Sequence, residues 1–384
     1  VSVVRRLTGR GGGAPGPLAP LRPQGLLDVL RDGPAPLRTG GKPTDPGALR
    51  VAVVVPQFRR GSGGHSTIAN LVRGLEARGH RVSLWVQDDE GRLEGHDAGE
   101  LFRRFFGDVA GPVHATFDAW EDCDVAVATG WQTVPRVLAL GGARARAYLV
   151  QDHEPEFYAT SAERIWAAWT YGQGLHAICA SPWLADVVRT TYGAPASAFD
   201  LGVDHDRYKP LPVGRADETV LVYARAVTAR RAVPLALLAM EELVRRRPGV
   251  EVALFGESRE IATAFPHRAL GVLEPDALAG AYNGATVGLC LSLTNPSLVP
   301  TEMLACGLPV VDVRSPSMLA CFGEDGPVAL ADPDPLALAA TVERLLDDLV
   351  ERAERTRAGL ELVAPRTWSA AAEQVEAGLL AALA

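Results

Sequence analysis

Lysine is almost missing from this chain. Of its 38 basic residues only Lys42 and Lys209 are lysine. With the many Ala, Gly and Pro, that bias reads as codon usage of a GC-rich genome, not as a functional signal. Cysteine is sparse: Cys123, Cys179, Cys290, Cys306 and Cys321 lie scattered, mostly in apolar runs. No CxxC pair or Cys/His spacing points to a metal, and an odd count argues against a disulfide framework. They read as reduced core thiols of a cytoplasmic protein. No apolar run approaches the roughly 20 residues of a membrane span, and the polar, Gly/Pro-rich start carries no secretory signal. Positive charge is in deficit too. A net charge of -8 argues against a general nucleic-acid binder.

What is present suffices for two cores, with 384 residues and 47% hydrophobic content. Residues 1–48 are dense in Gly, Pro and Arg. Leu26 to Leu30 can form one helical turn, and the rest reads as a flexible or surface-lying tail. Order begins with the apolar strand Leu49 to Val55, as in a parallel sheet buried on both faces. After the loop Pro56 to Ser62, a helix is predicted from about Ser66 to Arg78, with Ile68, Leu71, Val72 and Leu75 on one face. Strands follow at 81–86, 124–128, 145–150 and 175–180, and a helix at 182–192. A polar, Pro-containing linker lies between Leu201 and Asp217. The second series reads strand 219–224, helix 234–247, strand 250–255, helix 275–282, strand 287–291, a strand at Val310, one long helix from Pro335 to Arg355, and an Ala-rich helix from Trp368 to Leu383. The expectation is an α/β protein with two Rossmann-like, doubly wound domains, 49–205 and 206–365, facing a cleft. The C-terminal helix, 366–384, is free to pack back on the first domain. Ligands should bind outside the carboxyl ends of the strands.

The candidate motifs lie at those ends. Gly61-Ser-Gly-Gly64, followed by His65, lets backbone N–H groups approach a phosphate or sugar, although a plain tight turn fits it equally. It is neither GxGxxG nor a lysine-bearing P-loop. Asp152, His153 and Glu154 cluster at a strand end, where His153 can exchange a proton and the acids can orient it or bind hydroxyls. Glu156, Phe157 and Tyr158 extend that loop and can pack against a sugar ring. Arg225 and Arg230 suit a diphosphate. Asn295-Pro296-Ser297-Leu298-Val-Pro300-Thr301-Glu302 reads as an extended approach, a cap at Thr301 and an acid in the first helical turn, able to grip sugar or ribose hydroxyls, before Gly307 ends the helix.

Together these residues resemble the GT-B glycosyltransferases of the family 4 group over about residues 50–365. The resemblance rests on Gly61–Gly64, on Cys179-Ala-Ser-Pro-Trp-Leu184, on Gly202-Val-Asp204 leading to Tyr208 and Pro210, on Arg225/Arg230, and on Ser297 to Val311. The run Gln151 to Tyr158 is similar to bacterial rhamnosyltransferases that build surface rhamnans from dTDP-rhamnose. The resemblance implies a metal-independent, cofactor-free, retaining transfer with a nucleotide-diphosphate sugar as co-substrate. By it, Arg225 and Arg230 hold the diphosphate, Glu302 the ribose, and the backbone groups of Asn295, Pro296, Ser297 and Leu298 the sugar and phosphates. In the retaining route the leaving diphosphate can take the acceptor proton, while His153 stabilises charge or orients the acceptor. One departure concerns the acid that many family members carry eight residues before the matching Glu. Thr294 stands there instead. The acceptor stays open: a glycan, a lipid-linked glycan or a small molecule, with peripheral membrane contact through Arg59, Arg60, Arg103 and Arg104 as one option. A nucleotide-sugar epimerase or hydrolase and a non-catalytic glycan-binding subunit are the alternatives.

Overall fold

A computed structural model describes residues 23–40, 45–91 and 93–384. Seven parallel strands form the first sheet: β1 (Arg50–Pro56), β2 (Arg81–Gln87), β3 (Val113–His114), β4 (Cys123–Ala128), β5 (Ala143–Val150), β6 (His176–Cys179) and β7 (Ala196–Ala198), in the order 3-2-1-4-5-6-7. Six more form the second: β8 (Thr219–Tyr223), β9 (Glu251–Phe255), β10 (Arg268–Gly271), β11 (Val287–Leu289), β12 (Val310–Val313) and β13 (Val328–Ala331), in the order 10-9-8-11-12-13. Both sheets reverse direction of winding at their centre, between β1 and β4 and between β8 and β11. Such switch points open a crevice at the carboxyl ends of the strands.

The continuous apolar reading of β1 has a simple cause. Its side chains alternate in direction, so Val51, Val53 and Val55 enter one core while Ala52 and Val54 enter another on the opposite face. Val220 and Val222 against Leu221 repeat the pattern in the second sheet. Each fully buried Val or Leu contributes about 1.5–3 kcal/mol relative to exposure, so an ionised side chain at Val53 or Leu221 would remove that gain and add an uncompensated buried charge.

The chain crosses between domains twice, side by side. Val203 N donates to Arg366 O at 2.9 Å. A Cβ on Gly202 would lie 2.6 Å from Trp368 N, so only glycine lets the two crossings touch. The helix Trp368–Leu383 then covers the first sheet, with Ala371, Val375 and Leu379 buried in the core that holds Val51 and Ile178.

Several local expectations change. The first cleft-side helix is Gly63–Ala77, starting three residues early with Ser62 at its N-cap. The long helix expected at 335–355 is two helices, Pro335–Asp347 and Leu349–Val363. Asp348 breaks them apart because its carboxylate accepts from Val350 N and Glu351 N and so starts a new helix. Residues 23–40 are not a loose tail: Leu26–Asp32 is helical, and Ala35 N and Arg38 N donate to Leu138 O and Ala143 O. Among the described residues no helix is long and apolar enough to cross a membrane.

Candidate active site

The two crevices face each other and merge into one interdomain cleft of about 1260 Å³. Its N-terminal wall includes Gly63, Gly64, His65, Gln151, Asp152 and Glu154. Its C-terminal wall includes Arg225, Arg230, Pro296, Ser297, Leu298 and Glu302. The residues singled out in the sequence are thus mostly brought together. His153, Asn295 and Thr301 are not on the cleft lining.

Glu302 sits on the helix Leu298–Ala305. That helix starts earlier than the sequence suggested, with Ser297 at the N-cap. Pro300 falls inside the first turn, where proline is tolerated because its missing N–H costs nothing. Thr301 is therefore no cap. Its hydroxyl donates back to Leu298 O at 2.8 Å. Glu302 lies one turn further in, and the helix start offers the amides of Leu298 and Val299. Gly307, at φ 68°, supplies the left-handed turn that stops the helix. Tyr282 Oη donates to Glu302 Oε2 at 3.4 Å, the one hydrogen bond of that carboxylate among the described residues. Burial raises the Glu302 pKa to about 7, and the Tyr282 bond opposes the shift only in part. The acid is placed to accept hydroxyls that would restore its charged form.

Arg225 reaches across the cleft to Gly61 O at 3.4 Å, a contact too long to commit it. Arg230 Nε lies 2.8 Å from Asp152 Oδ2, an ion pair off the hydrogen-bond axis. Arg231, next in the chain, is buried on the cleft and donates to Ser292 Oγ at 3.1 Å.

Asp152 is buried, and Oδ1 accepts from Asn295 N and His153 N at 3.0 and 2.9 Å, Oδ2 from Thr294 Oγ1 at 3.0 Å. Thr294, where the family resemblance led one to expect a sugar-binding acid, turns to this carboxylate and away from the cleft. Asn295 cannot serve as a free ligand contact. Its Nδ2 donates to Gln151 O and Ala180 O at 3.2 and 3.1 Å, and its Oδ1 accepts from Ser181 Oγ at 2.6 Å. It closes the seam between the domains.

His153 departs from its expected role. Its Nε2 is 2.7 Å from Tyr192 Oη and its Nδ1 3.3 Å from Glu156 Oε1, with the ring tilted over Tyr171. The backbone turns just after the strand, so Asp152 faces the cleft and His153, half-buried, packs against Tyr192 and Tyr171 off the cleft lining. Glu154 accepts from Trp131 N and Tyr148 Oη at 2.9 and 2.6 Å, and burial raises its pKa to about 7. His65 is anchored likewise, with Ser62 Oγ at 2.8 Å from Nδ1 and Pro56 O accepting from Nε2 at 3.0 Å. Burial lowers its pKa and holds it neutral.

Sequence reading missed Thr67, Asn70 and Arg73 on the cleft. Their spacing of three was the available signal, because it marks a polar row running beside the apolar face of the helix Gly63–Ala77. Tyr223 and Phe255, at the ends of β8 and β9, also line the cleft and offered no such signal. Among the described residues no group of three or more His, Cys, Asp or Glu is arranged to hold a metal ion.

Comparison with known proteins fits this architecture. Residues 218–341 match the family described as WsaF, C-terminal domain. The chain is 34% identical over 270 residues to the O-antigen biosynthesis protein RfbC of Myxococcus xanthus, which covers 67% of this chain and 21% of that protein. The chain therefore spans about a fifth of the length of that curated relative. Among solved structures, sucrose-phosphate synthase from Thermosynechococcus elongatus superposes with a TM-score of 0.65 at 16% identity, over 87% of this chain and 100% of that one. HepE of Anabaena, solved in complex with UDP-glucose, gives a TM-score of 0.66 at 13% identity over 87% and 99%. The fold is GT-B: two parallel-sheet α/β domains matching glycosyltransferase structures.

Proposed function

We infer that the chain is a glycosyltransferase that moves a sugar from a nucleotide-diphosphate donor bound on the C-terminal wall to an acceptor bound on the N-terminal wall. The observation that carries this reading is the convergence of Arg225, Arg230, the helix start at Leu298 and the under-bonded Glu302 on one cleft at paired switch points. The guanidiniums and the amides of Leu298 and Val299 suit the two phosphates, and offset the charge that builds on the leaving diphosphate. Glu302 suits a pair of ribose hydroxyls. The charge-stabilising work assigned to these arginines needs no metal. With His153 outside the cleft, the departing diphosphate is the natural acceptor of the incoming hydroxyl's proton, which leads to retention. dTDP-L-rhamnose is the proposed donor and a surface glycan the proposed acceptor class, in line with the O-antigen name of the RfbC relative.

A thermal-shift screen of nucleoside diphosphates and their sugars tests the first half. A ligand at 100 times its dissociation constant adds about 2.7 kcal/mol of stability. No shift with any of them overturns the reading. Release of free or isomerised sugar as fast without acceptor as with it would point to a hydrolase or epimerase instead.

A further inference from the structure

Arg230 belongs to the C-terminal domain, but what holds its side chain belongs to the other one. Its Nε sits 2.8 Å from Asp152 Oδ2, and its guanidinium carbon stands 3.9 Å from the centroid of the Phe157 ring. Asp152 and Phe157 both follow β5. A planar guanidinium ion-paired to a carboxylate at Nε and covered on one face by a ring keeps little freedom to swing or tilt. Among the described residues neither Nη makes a hydrogen bond, and the side chain lines the cleft. The carboxylate doing the holding is itself fixed, by Thr294 Oγ1, Asn295 N and His153 N. The loop after β5 and the loop after β11 thus form one hydrogen-bonded unit across the domain boundary.

We propose that Asp152 and Phe157 are positioning residues that present the free Nη edge of Arg230 to the donor diphosphate, so that the phosphate clamp is complete only while the two domains are together. Parting of the domains removes both holders at once and leaves Arg230 a loose side chain. Donor binding and domain closure are then coupled, because each supplies what the other needs. The proposal rests on the nucleotide-sugar reading of the cleft.

The test is calorimetric titration of the full chain with UDP and dTDP, and with uridine and thymidine as phosphate-free controls. Asp152→Asn keeps an acceptor for Asn295 N and an amide that Thr294 Oγ1 can accept, but loses the charge facing Arg230. It should weaken diphosphate binding about tenfold, the scale of one charge-assisted contact, with nucleoside binding unchanged. Made in an Arg230→Gln background, it should cost nothing further, because it acts only through Arg230. Phe157→Leu, at a partly exposed position, should show the same non-additivity with a loss of about threefold, and it decides the matter if Asp152→Asn does not fold. Equal losses in both backgrounds, or unchanged diphosphate affinity in both variants, would overturn the positioning role while leaving the nucleotide-sugar reading intact. A wild-type chain that binds no nucleoside diphosphate, with GDP and ADP tried alongside, overturns both.

Discussion

On the N-terminal wall of the cleft, Asp152, Glu154 and His65 spend their polar atoms on protein partners. On the C-terminal wall, Arg225 and Glu302 each make one hydrogen bond, at 3.4 Å. Leaving a polar group under-bonded away from water is costly, so Glu302, with Tyr282 as its partner, gains most from groups outside the protein, while the partly exposed Arg225 is uncommitted. On the proposed reading the protein-bonded wall gives the acceptor a fixed shape, and the less committed wall takes the donor diphosphate.

Four experiments can break or sharpen that contrast. The largest effect is expected for Arg225→Ala, which should lower kcat/KM for the donor by about 10²-fold, the scale of losing one preorganised charge-stabilising donor, with an unchanged melting temperature. A matching loss of stability would move Arg225 to the structural side. Next comes Asn295→Ala. It strands Ser181 Oγ and two carbonyls in a buried seam, and should cost roughly 3 kcal/mol of stability, read by denaturant unfolding. Unaltered unfolding would mean that the seam is not closed in solution.

Glu302→Gln has two readouts. The folded pKa of Glu302 is raised from 4.5 to about 7, so the native state holds its proton longer than the unfolded chain. Its contribution to stability is therefore lost as pH rises from about 4.5 through about 7. The ligand-free variant should match wild type near pH 4 and exceed it by on the order of 2 kcal/mol at pH 8. In the same pH range wild-type affinity for a nucleoside diphosphate should rise as the carboxylate forms, and the variant's should stay flat. A variant that tracks wild type at every pH would remove Glu302 from the binding wall. The smallest effect is expected for His153→Gln, within about threefold of wild-type turnover, since general acid–base groups are worth 10²-fold or more. A loss of that size would return His153 to the chemistry.

Much of the fold could be read directly. Apolar runs of four to seven residues between glycines, alternating with 3.6-period stretches, can only stack as parallel strands under helices. Local errors came from residues with two meanings. Pro300 reads as a breaker but belongs to a first turn, and Asp348 reads as a helix-surface acid but restarts a helix. At the site, residue identity was legible and commitment was not. Asp152 and Thr294 stand 142 positions apart, and nothing local to either announces that they bond each other. His153 looked like the better catalyst because its side chain can titrate, whereas its direction depends on Tyr192, a partner on a different helix.

The helix Trp368–Leu383 carries a consequence for synthesis. It seals a layer that the residues around β1 and β6 began long before it in the chain, with the whole second domain translated in between. Emerging from the ribosome, the first domain waits half-clad, without Ala371, Val375 and Leu379 in its core, until the closing segment arrives. Shortening the chain ahead of Trp368 should therefore yield not a smaller working protein but a sticky, chaperone-bound fragment.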